Sequence, residues 1–119
     1  MEEALIKRVL PHSIEAEQAV IGAMLMDKEA ILTSSEIISG EDFYQSAYGI
    51  LFETIVELFN EGKPVDLITL QNRLREKDVP AEVSSLEFAR DLLSAVQTSA
   101  NVKYYAEIVS EKAMLRRLI

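Results

Sequence analysis

Cysteine is missing from all 119 residues. That removes a disulfide framework, a thiolate nucleophile and a zinc–cysteine site, and it suits a reducing compartment. The one histidine, His12, stands between Pro11 and Ser13. With no second histidine and no cysteine, neither a transition-metal site nor a nucleophile–base pair can be built around it, so no metal and no catalytic residue is expected. No apolar run approaches the roughly 18 residues of a membrane span. The opening MEEALIKRVLPHS has an acidic tip and lacks a signal-peptide core, so a cytoplasmic protein without a membrane partner is expected. Glycine is scarce, and Gly62-Lys63 runs into Pro64, with Glu57 where a phosphate-binding loop needs its first glycine. No nucleotide cofactor site follows. Basic residues are outnumbered, twelve against twenty acids for a formal charge of -8, which argues against an independent grip on nucleic-acid phosphates.

What remains is a chain of one-domain size, 49% hydrophobic, with enough apolar side chains for a real core. Its periodicity is helical, without sustained two-residue alternation, so an all-α fold of about six helices is expected. Residues 1–12 read as a mobile lead-in. Ser13 caps a helix from about Ile14 to Met26, where Ala19, Gly22 and Ala23 invite close approach by another helix. Asp27 caps a shorter helix carrying Ala30, Ile31 and Leu32. Tyr48, Leu51, Phe52, Ile55, Leu58 and Phe59 mark a central core helix that stops at Asn60-Glu61-Gly62. Asp66 or Thr69 opens a helix holding Leu67, Leu70 and Leu74. Ser84 and Glu87 have the spacing of a capping box for a helix with Leu86, Ala89, Leu92, Leu93 and Val96 on one side. Gln97 to Ala100 reads as a polar joint, and Ser99 or Asn101 caps the last helix.

Two features need an explanation beyond packing. Between Lys28 and Lys63 there is no base, and Glu53, Glu57 and Glu61 share one face of the central helix. A solvated face is the plain reading; a docking surface for a basic partner is the other. The second feature is Asn101 to Ile119, a local +2 stretch, from four bases against two acids. It carries adjoining apolar stripes and no glycine, asparagine or proline to end it. Tyr105, Ile108, Val109, Leu115, Leu118 and Ile119 form a face that wants a partner, with Tyr104 its more exposed neighbour. Leu115, Leu118 and Ile119 could instead close the domain's own core, but the missing stop signal favours self-association.

Several short motifs, in order, carry a resemblance. They are Pro11 with Glu15-Ala16-Glu17 and Ile21-Gly22-Ala23-Met24-Leu25; Asp42-Phe43-Tyr44 with Leu51-Phe52; Gly62-Lys63-Pro64-Val65-Asp66-Leu67-Ile68-Thr69-Leu70 with Leu74; and Asn101, Tyr105-Ala106, Ile108-Val109, Ala113 and Arg116. From about Leu10 to Ile119 the chain resembles the N-terminal domain of the bacterial replicative DNA helicase, the DnaB family. Tyr48 departs from the family's frequent histidine, and Ser84-Ser85 from its frequent glycine pair. The resemblance implies a helical head, residues 13–100, and the first helix of a hairpin, residues 101–119, cut short before its mate. It also implies a non-catalytic module that self-associates into dimers and a hexamer, binds primase and helps connect to a loader. ATP and magnesium would belong to a later motor domain, and DNA would be met only through the full hexamer. A stand-alone regulatory or loader-like adaptor sharing this head is the alternative.

Overall fold

The computed structural model describes residues 10–94 and 100–119. The expectations for residues 1–9, Val96 and Gln97 to Ser99 lie outside those residues, as do those for the side chains of Leu86 and Ala89. Among the described residues the fold is all-α. The helices are α1 (Ile14–Met26), α2 (Lys28–Ser35), α3 (Ser46–Asn60), α4 (Leu67–Glu76), α5 (Leu86–Ser94) and α6 (Val102–Arg117), with a 3-10 turn at Gly40–Asp42.

The first corner comes from one residue. Ser13 caps α1, its hydroxyl accepting the Ala16 N–H at 3.2 Å. Asp27 ends that helix in an extended conformation and caps α2 by accepting the Glu29 N–H at 3.0 Å. An aspartate serves both purposes because its short carboxylate competes with helix continuation and satisfies the next helix's free amides.

α1 is buried on several sides: Ala16, Val20, Ile21, Ala23 and Met24 are all below 5% exposure. It packs against α2, α3, α5 and α6. α3, which the periodicity marks as central, shares that place and also packs against α2, α4 and the 3-10 turn. Ala23, Ala30 and Val102 make a small cluster where α1, α2 and α6 meet, short side chains letting three backbones approach.

α3 ends as its sequence demands. Gly62 has φ of 74°, the left-handed region in which a side chain is strained. The Gly62 N–H reaches the Phe59 carbonyl and the Lys63 N–H the Leu58 carbonyl, both at 3.0 Å, the paired bonds of a Schellman stop. Earlier in α3, a Cβ on Gly49 would lie 2.5 Å from the Gly40 carbonyl oxygen. Glycine there lets the 3-10 turn lie on the helix.

Asp66 and Thr69 act together at the start of α4, each side chain accepting the other's backbone N–H, at 2.9 and 3.0 Å. The capping-box expectation for Ser84 and Glu87 is corrected. α5 begins at Leu86, and it is Ser85 whose hydroxyl accepts the Phe88 N–H at 3.0 Å, while the Ser84 hydroxyl donates to the Ala81 carbonyl. The start shifted by one residue, which puts Glu87 at the second helical position, where it cannot complete the reciprocal bond. Asn101 precedes α6 without a side-chain cap.

α6 has no gap between itself and the head: Val102, Ala106, Val109 and Ala113 are buried against it, and α6 packs on α1, α2 and the 3-10 turn. Pro11 and His12 are anchored too. The Pro11 carbonyl accepts from Arg116 at 2.8 Å, and the His12 ring stacks on Tyr44 with centroids 4.0 Å apart.

Candidate partner-docking face

The six residues singled out on the last helix divide three ways. Val109 is 1% exposed and lies in the main core, so it is not part of an open face. The expectation failed there because the helix's own head covers that stripe. Tyr105 and Ile108 are half-buried and pack on the core's edge. Leu115, Leu118 and Ile119 are open, at 41%, 79% and 80%.

Tyr104 and Met114 add to that apolar surface, at 65% and 58% exposed. Sequence reasoning left both out of the face. Yet the outward row Tyr104, Ile108, Glu111, Leu115 and Leu118 steps by four, three, four and three residues. That average of 3.5 is the spacing at which one helix packs along another. The signal was present, but the more crowded stripe one position away, now seen as core, drew the pattern to itself.

The end of α6 is fixed to the body by its arginines. Arg116 donates to the Pro11 and Asp42 carbonyls, at 2.8 and 2.6 Å, and its guanidinium lies 5.7 Å from the Tyr44 ring centroid. Arg117 pairs with the Asp42 carboxylate. Arginine suits this junction because its planar fork can serve two separated carbonyls at once.

The glutamate face of α3 is not bare. The Glu61 carboxylate takes two bonds from Arg73, at 2.7 and 3.0 Å, and Lys63 approaches it at 3.3 Å. Glu57 accepts from Lys77 at 2.8 Å and from Arg73 at 3.2 Å. Glu53 accepts the Gly40 N–H at 2.6 Å. The Arg73 hydrogen bonds hold the Glu61 carboxyl down to about 2. The bond from Lys77 lowers Glu57, and the bond with Glu61 raises Arg73. Glu57 and Glu61 are thus paired with bases from α4 and its C-cap, Arg73 and Lys77, which repeat the spacing of four residues. Single-helix reasoning could not see them.

Two polar contacts escaped the sequence reading. Glu17, only 1% exposed, accepts the N–H groups of Tyr44 and Gln45 at 2.8 and 3.2 Å. Tyr48, 6% exposed, has its hydroxyl bonded by Gln18 at 2.9 Å and its ring stacked on Phe88.

The sequence model of the DnaB-like helicase N terminal domain matches residues 9–111, most of the chain. The chain belongs to this family. The replicative DNA helicase DnaB of Geobacillus stearothermophilus is 44% identical over 119 residues, all of this chain and 26% of the relative. The replicative DNA helicase DnaC of Bacillus subtilis is 40% identical over the same span, again 26% of its length. This chain therefore spans about a quarter of the length of these two relatives.

A crystal structure of the N-terminal domain of DnaB helicase from Mycobacterium tuberculosis superposes with a TM-score of 0.88. The two are 37% identical, over 92% of this chain and 80% of that one. The N-terminal domain of DnaB helicase from Helicobacter pylori, described with its interactions with primase, shares the fold at a TM-score of 0.74. It is 20% identical, over 87% of this chain and 80% of that one. The family match thus runs through α1 and on into α6 as far as residue 111. In this member the Tyr48 site is filled by a hydroxyl bridge to α1 and a ring contact to α5.

Proposed function

We propose that the chain is the oligomerisation and primase-interaction module of a hexameric, ATP-dependent replicative DNA helicase, and that it has no catalysis of its own. ATP and magnesium would then be needed by a motor domain elsewhere in the parent protein. DNA would be engaged through the assembled hexamer, and a loader would meet the assembly as a further partner. The observation that carries this reading is the outward row of α6, Tyr104, Ile108, Glu111, Leu115 and Leu118, apolar but for Glu111, in a family whose relatives are named as replicative helicases. A row with that repeat is suited to a second helix, and the covered stripe behind it holds α6 rigidly enough to present it.

The test is a pull-down of primase's C-terminal domain by the parent's whole N-terminal region, with sedimentation of the same sample. Co-purification together with dimers or hexamers supports the module. A monomer that ignores primase overturns it. ATP hydrolysis by this 119-residue chain, abolished by a point substitution, would overturn the non-catalytic part alone.

A further inference from the structure

Of the three glutamates spaced along α3, Glu57 and Glu61 meet bases from α4 and its C-cap, and Glu53 does not. Its carboxylate instead takes the Gly40 N–H at 2.6 Å. Glycine allows this, because a Cβ on Gly40 would lie 2.5 Å from the Glu53 Cγ. Glu53 is thereby held at an open groove between the 3-10 turn, the first half of α3 and the chain just after α4. The groove has a volume of about 450 Å³, within the roughly 300–1,000 Å³ of ligand pockets. Ile50 and Val79 pack on the core's edge but are only half-buried, so each leaves apolar surface open along the groove. The largely buried Phe43 completes that wall.

Three exposed acids, Glu41, Glu53 and Asp78, also line the groove. Among the described residues no base pairs with any of them. The base that lines the groove, Lys77, is engaged elsewhere, donating to Glu57 at 2.8 Å and to the Thr54 hydroxyl at 3.1 Å. Arg117 reaches the 3-10 turn but pairs with Asp42. The groove is cut mainly from the stretch between Lys28 and Lys63 that contains no base, which is why its unpaired charge has one sign.

We propose that this groove docks a basic segment of a partner protein, one bulky apolar side chain lying against Ile50, Val79 and Phe43 while flanking arginines or lysines meet Glu41, Glu53 and Asp78. The argument is charge complementarity joined to an apolar wall that is open to solvent. An acidic guest would be repelled by the same three carboxylates. The groove shares no residue with the α6 row, so its failure would leave the proposed function standing.

The probe is a synthetic peptide, capped at both ends, in which two arginines flank a leucine and a phenylalanine. It is titrated into the 119-residue chain while the methyl resonances of Ile50 and Val79 are followed. We expect those methyls to shift saturably, added salt to weaken the binding, and the methyls of Ile68, 78% exposed and outside the groove, to stay still. Glutamates in place of the arginines should abolish binding, and alanines in place of the leucine and phenylalanine should weaken it about tenfold. Glu41→Lys with Asp78→Lys should weaken the arginine peptide about tenfold with an unchanged circular dichroism spectrum. If that variant loses its fold, Glu41→Gln with Asp78→Asn replaces it, with weakening in the same direction expected. Ile50 and Val79 methyls that stay still, equal binding of either exchanged peptide, or affinity undiminished in the folded variant would each overturn the proposal.

Discussion

The buried carboxylate of Glu17, on α1, accepts the backbone N–H of Tyr44 at 2.8 Å, across 27 residues of chain. Its other oxygen takes the Gln45 N–H at 3.2 Å, so one side chain satisfies two donors at the entrance to α3. That helix has no side-chain cap from Gln45, and Glu17 instead satisfies the two amides that lead into it. Glu17→Ala should cost about 2 kcal/mol of stability, read from the urea midpoint at unchanged slope. Glu17→Gln should recover only part of it, because its amide would place a donor against a donor. A midpoint within error of the unmodified chain would show that water replaces the carboxylate freely.

Acid should loosen the α3–α4 junction at an unusually low pH. Glu61 is lowered from 4.5 to about 2 by the Arg73 hydrogen bonds. A carboxyl depressed in the folded state stabilises above its unfolded value, and that contribution fades as pH falls from about 4.5 through about 2. Carboxyl carbon shifts should therefore place the Glu61 midpoint near 2 in the intact chain, and Arg73→Gln should return it toward 4.5. An unmoved midpoint would mean that Arg73 does not hold Glu61 in solution.

These two cases show what was legible in the residues and what was not. Helix positions were, because capping and stopping are local: Ser13, Asp27, Asp66 and Gly62 each act within a few residues of their own position. Contacts between helices were not. Nothing local to Glu17 distinguishes a carboxylate that favours its own helix dipole from one that accepts the amides leading into another helix. Likewise the α3 glutamates look unpaired until α4 brings Arg73 and Lys77 alongside. On α6 most of the apolar residues were found, though not Met114, but they were not sorted, since two stripes about 100° apart both fit helical spacing. Only the position of α1 and α2 decides that Val109 faces in.

Arg116 gives a test of how the end of α6 is secured. Its two carbonyl bonds, to Pro11 and Asp42, join segments 105 and 74 residues away. Arg116→Met keeps an apolar stem but removes both donors, and should cost about 2 kcal/mol. The loss should be accompanied by a change in the Tyr44 ring resonances, because the guanidinium beside that ring has gone. Arg116→Lys should fall between, with one ammonium unable to match the fork's separated bonds. Stability equal to that of the unmodified chain in the Met variant would leave the junction to Arg117 and packing alone.

The two stripes of α6 should separate cleanly in mutation. Leu115→Asp with Leu118→Asp changes residues 41% and 79% exposed, so circular dichroism and the urea midpoint should move little. Any self-association seen by sedimentation velocity should fall, because a charge in the row that steps by 3.5 residues opposes burial against a second helix. Val109→Asp is the opposite case. That side chain is 1% exposed among core residues, and an unpaired carboxylate there should cost about 4 kcal/mol, enough to unfold a marginal domain. If the double variant unfolds and the Val109 variant does not, the assignment of inner and outer stripes is reversed. If the double variant is folded but associates as strongly as the unmodified chain, the outer row is not the surface through which copies meet.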